Sequence, residues 1–573
     1  MTEIKHDALT YDYIIIGGGT SGSVAARRIA EGNINFTVCL LEAGPSNDGI
    51  VCSQMPGAWT TMRKTPLDWN FNTTPQTGFN NRIAYIPQAR FLGGCSGMNG
   101  TVLLRGVKAD YDRIDNMGNP GWSWNEMLPF FKASETFHPS DWHQADMTCH
   151  GTNGPLNTTV YPIAPISKKV LESFIDSGFD YKPDMFVQGD YEGVGHATRT
   201  VYNGIRSSSA DFIHSYNKTN LTVRTGIYVD RIILEKNNSL NKEEREYKAI
   251  GVEAHDEANG QLITIKARKE IILSAGILII IIIELIGKYV YASYQVNDPS
   301  LTFNSLVYHP DGLTLLIKNW QETKTGLMAN IPIGCYAYKR VDQTIQDPVW
   351  EAAKQKKQSN GLCDCDPAGQ WSNQPHVELT TTEIFMSAPH IRNTDGQPYD
   401  PVNGEGVITL FVFLCGPQSR GTIRLSSNDP RSMPIIDHAW LDNDLDLTVL
   451  AEGCRLGHEV LTKGKGTKDI IIGPWPKTFS YPETTTGWKE HVRMFSDACY
   501  HSGGTCKMAP DSDPMGVVDC RLRVRNVTGL RIADMSIMPI LNSGHTQAPA
   551  YAIGEKVAHM VLEDANDSST TNI

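Results

Sequence analysis

A glycine-rich turn near the start of the chain has the residue types and spacing that bind the pyrophosphate of a dinucleotide. The pattern is Gly17-x-Gly19-x-x-Gly22, and an apolar stretch, Tyr13–Ile16, precedes it. Gly17 permits a tight turn, Gly19 lets the backbone approach a phosphate, and Gly22 allows a helix to pack closely on the strand. The helix that follows would direct its unpaired N–H groups and its positive dipole end toward the phosphates.

An acidic residue after the next apolar stretch strengthens this interpretation. Thr37–Leu41 is followed by Glu42, 20 residues after Gly22. A carboxylate at that distance hydrogen-bonds the adenosine ribose in a βαβ dinucleotide-binding unit. We therefore predict a β-α-β unit over residues 1–45 in a Rossmann-like α/β fold, in preference to an ordinary glycine-rich turn.

The composition is that of a globular protein with two or more domains. The chain has 573 residues, of which 40% are hydrophobic and 20% charged. Its net charge of −12 argues against nucleic acid or an anionic membrane as a partner. Residues 1–10 contain no apolar signal-peptide core, which predicts a cytoplasmic protein and leaves open a secreted one whose leader has been removed. The 12 cysteines are scattered and the histidines form no metal-binding pattern, so we predict no metal.

Hydrophobic periodicity predicts the elements that must position these residues. The stretch Ile277–Ile283 is too short to cross a membrane, which needs about 20 apolar residues, and is predicted to be a buried segment without chemistry. The region 334–375 is polar and is predicted to be an irregular surface excursion. The other predictions are strands at 222–235, 249–273, 404–414, 421–425 and 530–540, and helices at 122–135, 445–461 and 551–563.

Several separated motifs resemble the glucose–methanol–choline family of FAD-dependent oxidoreductases. Their order and spacing along the chain match the family, and the aryl-alcohol or hydroxymethylfurfural oxidase-like and choline dehydrogenase-like members are the most similar in appearance. Besides the first glycine turn and Glu42, the motifs are Asp68–Phe71, Ala89–Asn99, Pro417–Leu425 with Asp429-Pro430, Tyr500–Met508, Leu530–Pro539 and Asn542–Lys556.

The resemblance implies a discontinuous FAD-binding domain and a substrate-binding domain with a mainly antiparallel sheet and helices. The first would comprise residues 1–155, 220–290 and 500–573, and the second residues 156–219 and 291–499. The chain departs from the family pattern after Gly276, because the isoleucine run is followed by Gly287–Tyr289 and then directly by Ala292–Tyr294. Roughly thirty residues of the family pattern, including a flavin-adjacent segment, have no counterpart there.

The resemblance also implies the residues that hold FAD. Gly17, Gly19 and Gly22 would face the pyrophosphate and Glu42 the adenosine ribose. The complete predicted set is Gly17, Gly19, Thr20, Ser21, Gly22, Glu42, Ala43, Trp69, Arg90, Gly93, Gly94, Met98, Asn99, Gly100, Val229, Ser274, Ala275, Gly276, Tyr500, Asp534, Met535, His545, Thr546 and Gln547.

The implied chemistry is the oxidation of an alcohol by hydride transfer to flavin N5. His501 matches the family's general base, a role that suits imidazole because its pKa of about 6.5 lies near working pH. His545 matches a second position that would hydrogen-bond the substrate oxygen and stabilise developing alkoxide charge.

The predicted substrate is a small primary alcohol, aryl or allylic, which is oxidised to the aldehyde while O2 becomes H2O2. The alternatives are a dehydrogenase of the same family that uses quinone or dye acceptors, a flavin-containing lyase or biosynthetic cyclase without net redox, and a flavin-binding protein without activity. The sequence leaves the substrate, the electron acceptor and the oligomeric state undetermined.

Met98 predicts that FAD is bound without a covalent link. Some family members carry a histidine bonded to the flavin immediately before the residue that matches Asn99, and a thioether cannot form that bond. Acid precipitation should therefore release all the flavin absorbance into the supernatant. A pellet that remains yellow would contradict the prediction.

Overall fold

The computed structural model describes residues 9–237, 245–276, 283–359, 365–386, 400–402 and 404–570. Within these residues, two large sheets dominate the fold. The strands are β1 (Leu9–Ile16), β2 (Val38–Glu42), β3 (Phe71–Asn72), β4 (Tyr85–Ile86), β5 (Glu135–His138), β6 (Leu156–Thr159), β7 (Gly193–Gly195), β8 (Val201–Tyr202), β9 (Ile205–Arg206), β10 (Leu221–Thr225), β11 (Ile227–Lys236), β12 (Tyr247–Asp256), β13 (Gln261–Leu273), β14 (Ile283–Val296), β15 (Ile333–Lys339), β16 (Val377–Thr382), β17 (Gly406–Leu414), β18 (Gly421–Arg424), β19 (Ile435–Asp437), β20 (Ile471–Pro474), β21 (Ser496–Gly503), β22 (Val527–Thr528) and β23 (Leu530–Ile532).

The helices cover both sheets. They are α1 (Thr20–Gly32), α2 (Val51–Gln54), α3 (Lys108–Asn116), α4 (Trp124–Ser134), α5 (Pro165–Asp176), α6 (Met185–Gln188), α7 (Ala210–His214), α8 (Asn304–Val307), α9 (Gly312–Thr323), α10 (Pro348–Ser359), α11 (Asp444–Lys463), α12 (Thr485–Phe495) and α13 (Gln547–Thr570). Among the helices of the described residues, none combines the length and the apolar character needed to cross a membrane.

The first sheet has the order β10-β2-β1-β13-β12-β11, and it confirms the predicted β-α-β unit. The strands β10, β2, β1 and β13 are parallel, and β23 extends the parallel set by pairing with β13. Ile14, Ile15 and Leu40 are fully buried, as expected for parallel strands covered by helices on both faces. The helices α1 and α13 pack together beside this sheet, so the N- and C-terminal parts of the chain build one core.

The second sheet is antiparallel, with the order β19-β18-β14-β17-β16-β15-β7. The strands β20 and β21 also pair with β14. The helix α11 packs on β14, β16 and β17 and buries Leu447, Leu450 and Leu461. An antiparallel sheet covered by helices is the predicted architecture of the substrate-binding domain, whose exact boundaries stay a prediction.

Several element predictions need correction. The stretch 249–273 forms two strands separated by a turn with Gly260, and 222–235 is divided at Gly226, because both glycines have a positive φ that interrupts the extended backbone. The prediction for 334–375 was wrong, since β15 is a buried strand of the second sheet and α10 follows it. The hydroxyl groups of Tyr336 and Tyr338 give the sequence of this strand a partly polar character, yet both side chains are buried.

The C-terminal prediction had the correct element types and incorrect lengths. The strand at 530–540 is confined to β23, because Asp534 caps a short 3-10 turn over Met535–Ile537. The final helix is longer than 551–563, and it begins at Gln547. Residues 277–282 of the predicted buried segment Ile277–Ile283 lie outside the described residues, and β14 begins at Ile283.

A buried ion pair joins the motif Pro417–Leu425 to strand β14 of the second sheet. Lys288 Nζ lies 2.6 Å from Asp446 Oδ2, and both side chains are 2% exposed. The same carboxylate accepts hydrogen bonds from the N–H groups of Gln418 and Ser419. Burial alone would raise the pKa of Asp446, but Lys288 and these donors hold it below its ordinary value.

The variant Asp446→Asn should destabilise the protein by about 3–5 kcal/mol, because it leaves the Lys288 ammonium buried without a counter-charge. Urea denaturation of the purified protein measures the effect. The control is Lys463→Ala, which removes an exposed partner of Glu459 and should cost about 1 kcal/mol or less. Equal denaturation midpoints for the Asp446→Asn variant and the wild type would contradict this role of the pair.

Candidate functional site

The first glycine turn has the close packing that its sequence predicts. Gly17 has a φ of +98°, and a Cβ there would lie 2.4 Å from the carbonyl oxygen of Ser274. A Cβ on Gly22 would lie 2.0 Å from the carbonyl oxygen of Gly17. At Gly19, by contrast, a Cβ would meet nothing within 4 Å, and no acidic residue occupies the first turn of α1. The turn therefore presents open backbone N–H groups, which fits the pyrophosphate of FAD.

Glu42 lies at the end of β2, where the ribose-binding carboxylate was predicted. Its side chain is buried, and its two oxygens accept hydrogen bonds from the N–H groups of Gly18 and Gly44, both at 2.8 Å. Burial raises the pKa of Glu42, and the two amides act in the opposite direction. Each oxygen keeps a second lone pair that can accept from a ribose hydroxyl.

The second glycine turn, Gly93–Gly100, lies directly against the first, and we call it the flavin loop. A Cβ on Gly94 would lie 2.7 Å from the Cα of Gly19. Ser209, which sequence reasoning missed, joins the two turns because its hydroxyl lies 3.2 Å from the carbonyl oxygen of Gly19 and 3.1 Å from that of Gly93. The only signal for Ser209 in the sequence is the polar run Arg206–Ser209.

Asn99 connects the flavin loop to the C-terminal segment. Its Nδ2 donates a hydrogen bond to Gln547 Oε1 at the start of α13. Its Oδ1 accepts from the N–H of Thr101 at 2.9 Å and from Arg206 Nη1 at 3.1 Å. The predicted residues Asn99 and Gln547 are therefore brought together, and Arg206 is a second residue that the sequence analysis missed.

The structure also brings together two more groups of predicted residues. Gly276 donates its N–H to Asp534 Oδ2 at 2.9 Å, and Ser274 Oγ donates to the carbonyl oxygen of Ala533 at 2.6 Å. In the second group, the Arg90 guanidinium lies 5.0 Å from the centre of the Trp69 ring. The Trp69 ring makes an edge-to-face contact with Tyr228, the neighbour of Val229, and the two ring centres are 6.0 Å apart.

The remaining predicted residues lie in or beside these segments. Met98, in the flavin loop, belongs to a buried cluster that includes Phe91. The hydroxyl of Ser21 donates a hydrogen bond to the carbonyl oxygen of Ala550. The others are placed by position: Thr20 at the start of α1, Ala43 after β2, Gly100 at the end of the flavin loop, Ala275 after β13, Met535 after Asp534, and Thr546 before α13.

The two predicted catalytic histidines face each other. The ring centres of His501 and His545 are 4.5 Å apart, with 69° between the ring planes. His501 lies on β21, where the pairing with β14 shifts register and Tyr500 has a φ of +60°. A bulge of this kind redirects a side chain away from the regular alternation of a strand. The strained backbone conformation of Tyr500 is therefore part of what orients the His501 side chain toward His545.

A buried carboxylate supports His545, and sequence reasoning missed it. Glu378 on β16 is 1% exposed, and its Oε1 lies 3.0 Å from His545 Nε2. Its Oε2 is buried without a hydrogen-bond partner among the described residues. A charged residue inside the buried strand Val377–Thr382 is the signal that could have identified it.

The surroundings keep His501 neutral. Enclosure by the protein and the neighbouring His545 lower the pKa of His501 well below its usual value of 6.5. A neutral imidazole can accept a proton at physiological pH, which is the requirement for a general base. The adjoining pocket has a volume of about 10 Å³, room for roughly one water molecule, and its lining includes His501, Glu378, Phe413 and Thr546.

Comparison with known proteins decides the family. Two GMC oxidoreductase family models match the chain, an N-terminal one over residues 11–279 and a C-terminal one over residues 417–554. The chain belongs to this family. Its members bind FAD and oxidise CH–OH donors, so the protein is an FAD-dependent oxidoreductase.

The relatives differ in what they oxidise. Dehydrogenase str4 of Strobilurus tenacellus is 29% identical over 97% of this chain and 94% of its own length. The oxygen-dependent choline dehydrogenase of Photobacterium profundum is 30% identical over 96% of this chain and 93% of its own length. A variant of formate oxidase from Aspergillus oryzae RIB40 is 25% identical, with a TM-score of 0.86 over 98% of this chain and 99% of that structure.

The variant Glu378→Gln should lower kcat by about 10- to 100-fold, because His545 loses the carboxylate that orients its ring. The measurement is kcat and KM against pH with an alcohol that reduces the wild type. In the wild type, the loss of kcat/KM from protonation of His501 should occur below pH 6.5, since the pKa of His501 is lowered. The control, Glu383→Gln, changes a buried carboxyl that binds the N–H of Ala164 and should keep kcat near the wild-type value. An unchanged kcat in Glu378→Gln would contradict the role of Glu378.

Proposed function

We propose that the protein oxidises a primary alcohol, aryl or allylic, to the aldehyde, with His501 as the general base. The observation that carries the proposal is the neutral His501 ring facing His545, whose other side is tied to Glu378. Bound FAD supplies the hydride acceptor of this chemistry. The segments that would hold it are the first glycine turn, Glu42, the flavin loop and Asp534.

The two histidines divide the work on the substrate hydroxyl. His501, as the neutral base, takes the hydroxyl proton. Glu378 holds the His545 ring through its contact with Nε2, so that the other face of the site is free for His545 to hydrogen-bond the alcohol oxygen. Negative charge that develops on this oxygen is thereby met by a donor that is already in place, which lowers the barrier without rearrangement.

An aromatic wall beside the histidines supports a flat, unsaturated substrate. The ring centre of Phe413 lies 5.6 Å from that of His545, and the ring centre of Tyr289 lies 5.3 Å from that of Phe413. Tyr291 and Phe411 extend the same wall. Aromatic rings pack favourably on one another at centre distances of about 4.5–7 Å, so an aryl or allylic group suits this surface.

Oxygen is the proposed electron acceptor, and a second candidate is a quinone or a dye-like acceptor. The second is favoured by the names of relatives, which include glucose dehydrogenases [FAD, quinone] of Drosophila. Both candidates share the oxidation of the alcohol and differ only in how the reduced protein is reoxidised.

Anaerobic addition of alcohols to the purified yellow protein tests the proposal. An aryl or allylic alcohol should bleach the flavin spectrum, and readmitted air should restore it with release of H2O2. The variant His501→Ala should bleach at least about 100-fold more slowly, the usual size of a general-base effect. Recovery only with a quinone would select the dehydrogenase. A spectrum that no alcohol bleaches would exclude alcohol oxidation and leave a lyase, a cyclase or an inactive flavoprotein.

A further inference from the structure

Among the residues that the structure describes, two buried arginines that contact the flavin loop have no carboxylate partner. Four arginines are buried in the described part of the chain: Arg105, Arg199, Arg206 and Arg531. Arg105 pairs with Glu135 at 3.1 Å, and Arg531 pairs with Glu270 at 2.8 Å. Arg199 and Arg206, which are 3% and 4% exposed, form no ion pair within 4 Å among these residues. A buried charge without a counter-charge is costly, so its retention needs an explanation.

Both unpaired arginines contact the flavin loop. Arg206 Nη1 lies 3.4 Å from the carbonyl oxygen of Ser96 and 3.1 Å from Asn99 Oδ1. Arg199 Nη1 lies 3.4 Å from the carbonyl oxygen of Gly100. The Nε of Arg206 is buried without a hydrogen-bond partner among the described residues, and burial lowers the pKa of this guanidinium to about 9. Neutral carbonyl and amide oxygens therefore solvate the two charges without neutralising them.

Both arginines are connected through neighbouring side chains to the segment that carries His545. Arg206 holds Asn99, which in turn contacts Gln547, two residues after His545. Arg199 lies over the Tyr336 ring at 5.8 Å, and the centre of that ring is 6.0 Å from that of His545. Asn99 thus connects Arg206 to the segment that follows His545, and Tyr336 connects Arg199 to His545 itself.

The buried carboxyl of Glu383 does not neutralise Arg199. Glu383 lies beyond ion-pair distance, although its electrostatic interaction with Arg199 opposes the effect of burial. Burial dominates and raises the pKa of Glu383, which favours its neutral form.

We propose that Arg199 and Arg206 are the counter-charges of the reduced cofactor and raise the reduction potential of the bound FAD. Oxidation of the alcohol breaks the hydroxyl O–H bond and one C–H bond, so the proton goes to His501 and a hydride goes to the cofactor. The hydride brings two electrons and one proton, and it leaves the cofactor with one additional negative charge. In a low-dielectric interior, two fixed positive charges stabilise that charge without reorganisation. The inference rests on FAD binding and does not depend on which alcohol is the substrate.

The reduction potential of the bound FAD, measured by equilibration with redox dyes and without any alcohol, tests this inference. Arg199→Met and Arg206→Met should each weaken the preference for reduced over oxidised FAD by about tenfold, which lowers the potential by about 30 mV for a two-electron couple. Arg206→Lys keeps the charge and should stay near the wild-type potential. The control is Arg28→Met, because Glu555 already neutralises this guanidinium at 2.7 Å, and it should leave the potential unchanged.

The outcomes separate charge from structure. A loss of affinity for oxidised FAD with an unchanged potential would assign the arginines to the pyrophosphate and overturn the proposal. A fall in Arg206→Lys equal to that in Arg206→Met would mean that hydrogen-bond geometry, not charge, sets the potential, and would also overturn it. If Arg206→Met does not fold, Arg199→Met and Arg206→Lys carry the test. Because no alcohol is present, failure of the proposed alcohol oxidation would not alter these results.

Discussion

The close contact between two glycine turns at one edge of the first sheet is the constraint on which the rest of the site depends. Gly19 and Gly94 approach so closely that a Cβ on Gly94 would lie 2.7 Å from the Cα of Gly19. The hydroxyl of Ser209 lies within hydrogen-bond distance of both turns and fixes their separation. Backbone packing of this kind leaves the N–H groups of the first turn open for phosphate and places the flavin loop at one defined distance from it.

The chemistry depends on a second sheet that is built from other parts of the chain. The strand β21 carries His501, β16 carries Glu378, and the loop before α13 carries His545. The bulge at Tyr500 turns His501 toward His545, and the buried carboxylate holds His545 from the opposite side. One histidine is thus kept neutral by its enclosure while a buried carboxylate holds the other, an asymmetry that fits the proposed roles of base and hydrogen-bond donor.

Buried charges have two different functions in this fold. The pair Lys288 and Asp446 is neutral as a whole, satisfies the backbone of the Pro417–Leu425 motif, and stabilises the second sheet. In the described part of the chain, Arg199 and Arg206 have neutral oxygens and no carboxylate as hydrogen-bond partners, and both contact the flavin loop. Neutral pairs hold the scaffold together, whereas unpaired charges act on what binds beside them.

The sequence by itself determined the β-α-β unit, because its glycine spacing and apolar stretches act over a few neighbouring residues. It also determined the family, and through the family the pairing of His501 with His545. Only the tertiary structure decided that β15 is a buried strand, since Tyr336 and Tyr338 look polar until their neighbours are known. The same holds for Glu378, Ser209, Arg199 and Arg206, whose contacts join segments far apart in the chain. Local patterns carry no information on such long-range electrostatics, because burial and partners are set only when the sheets assemble.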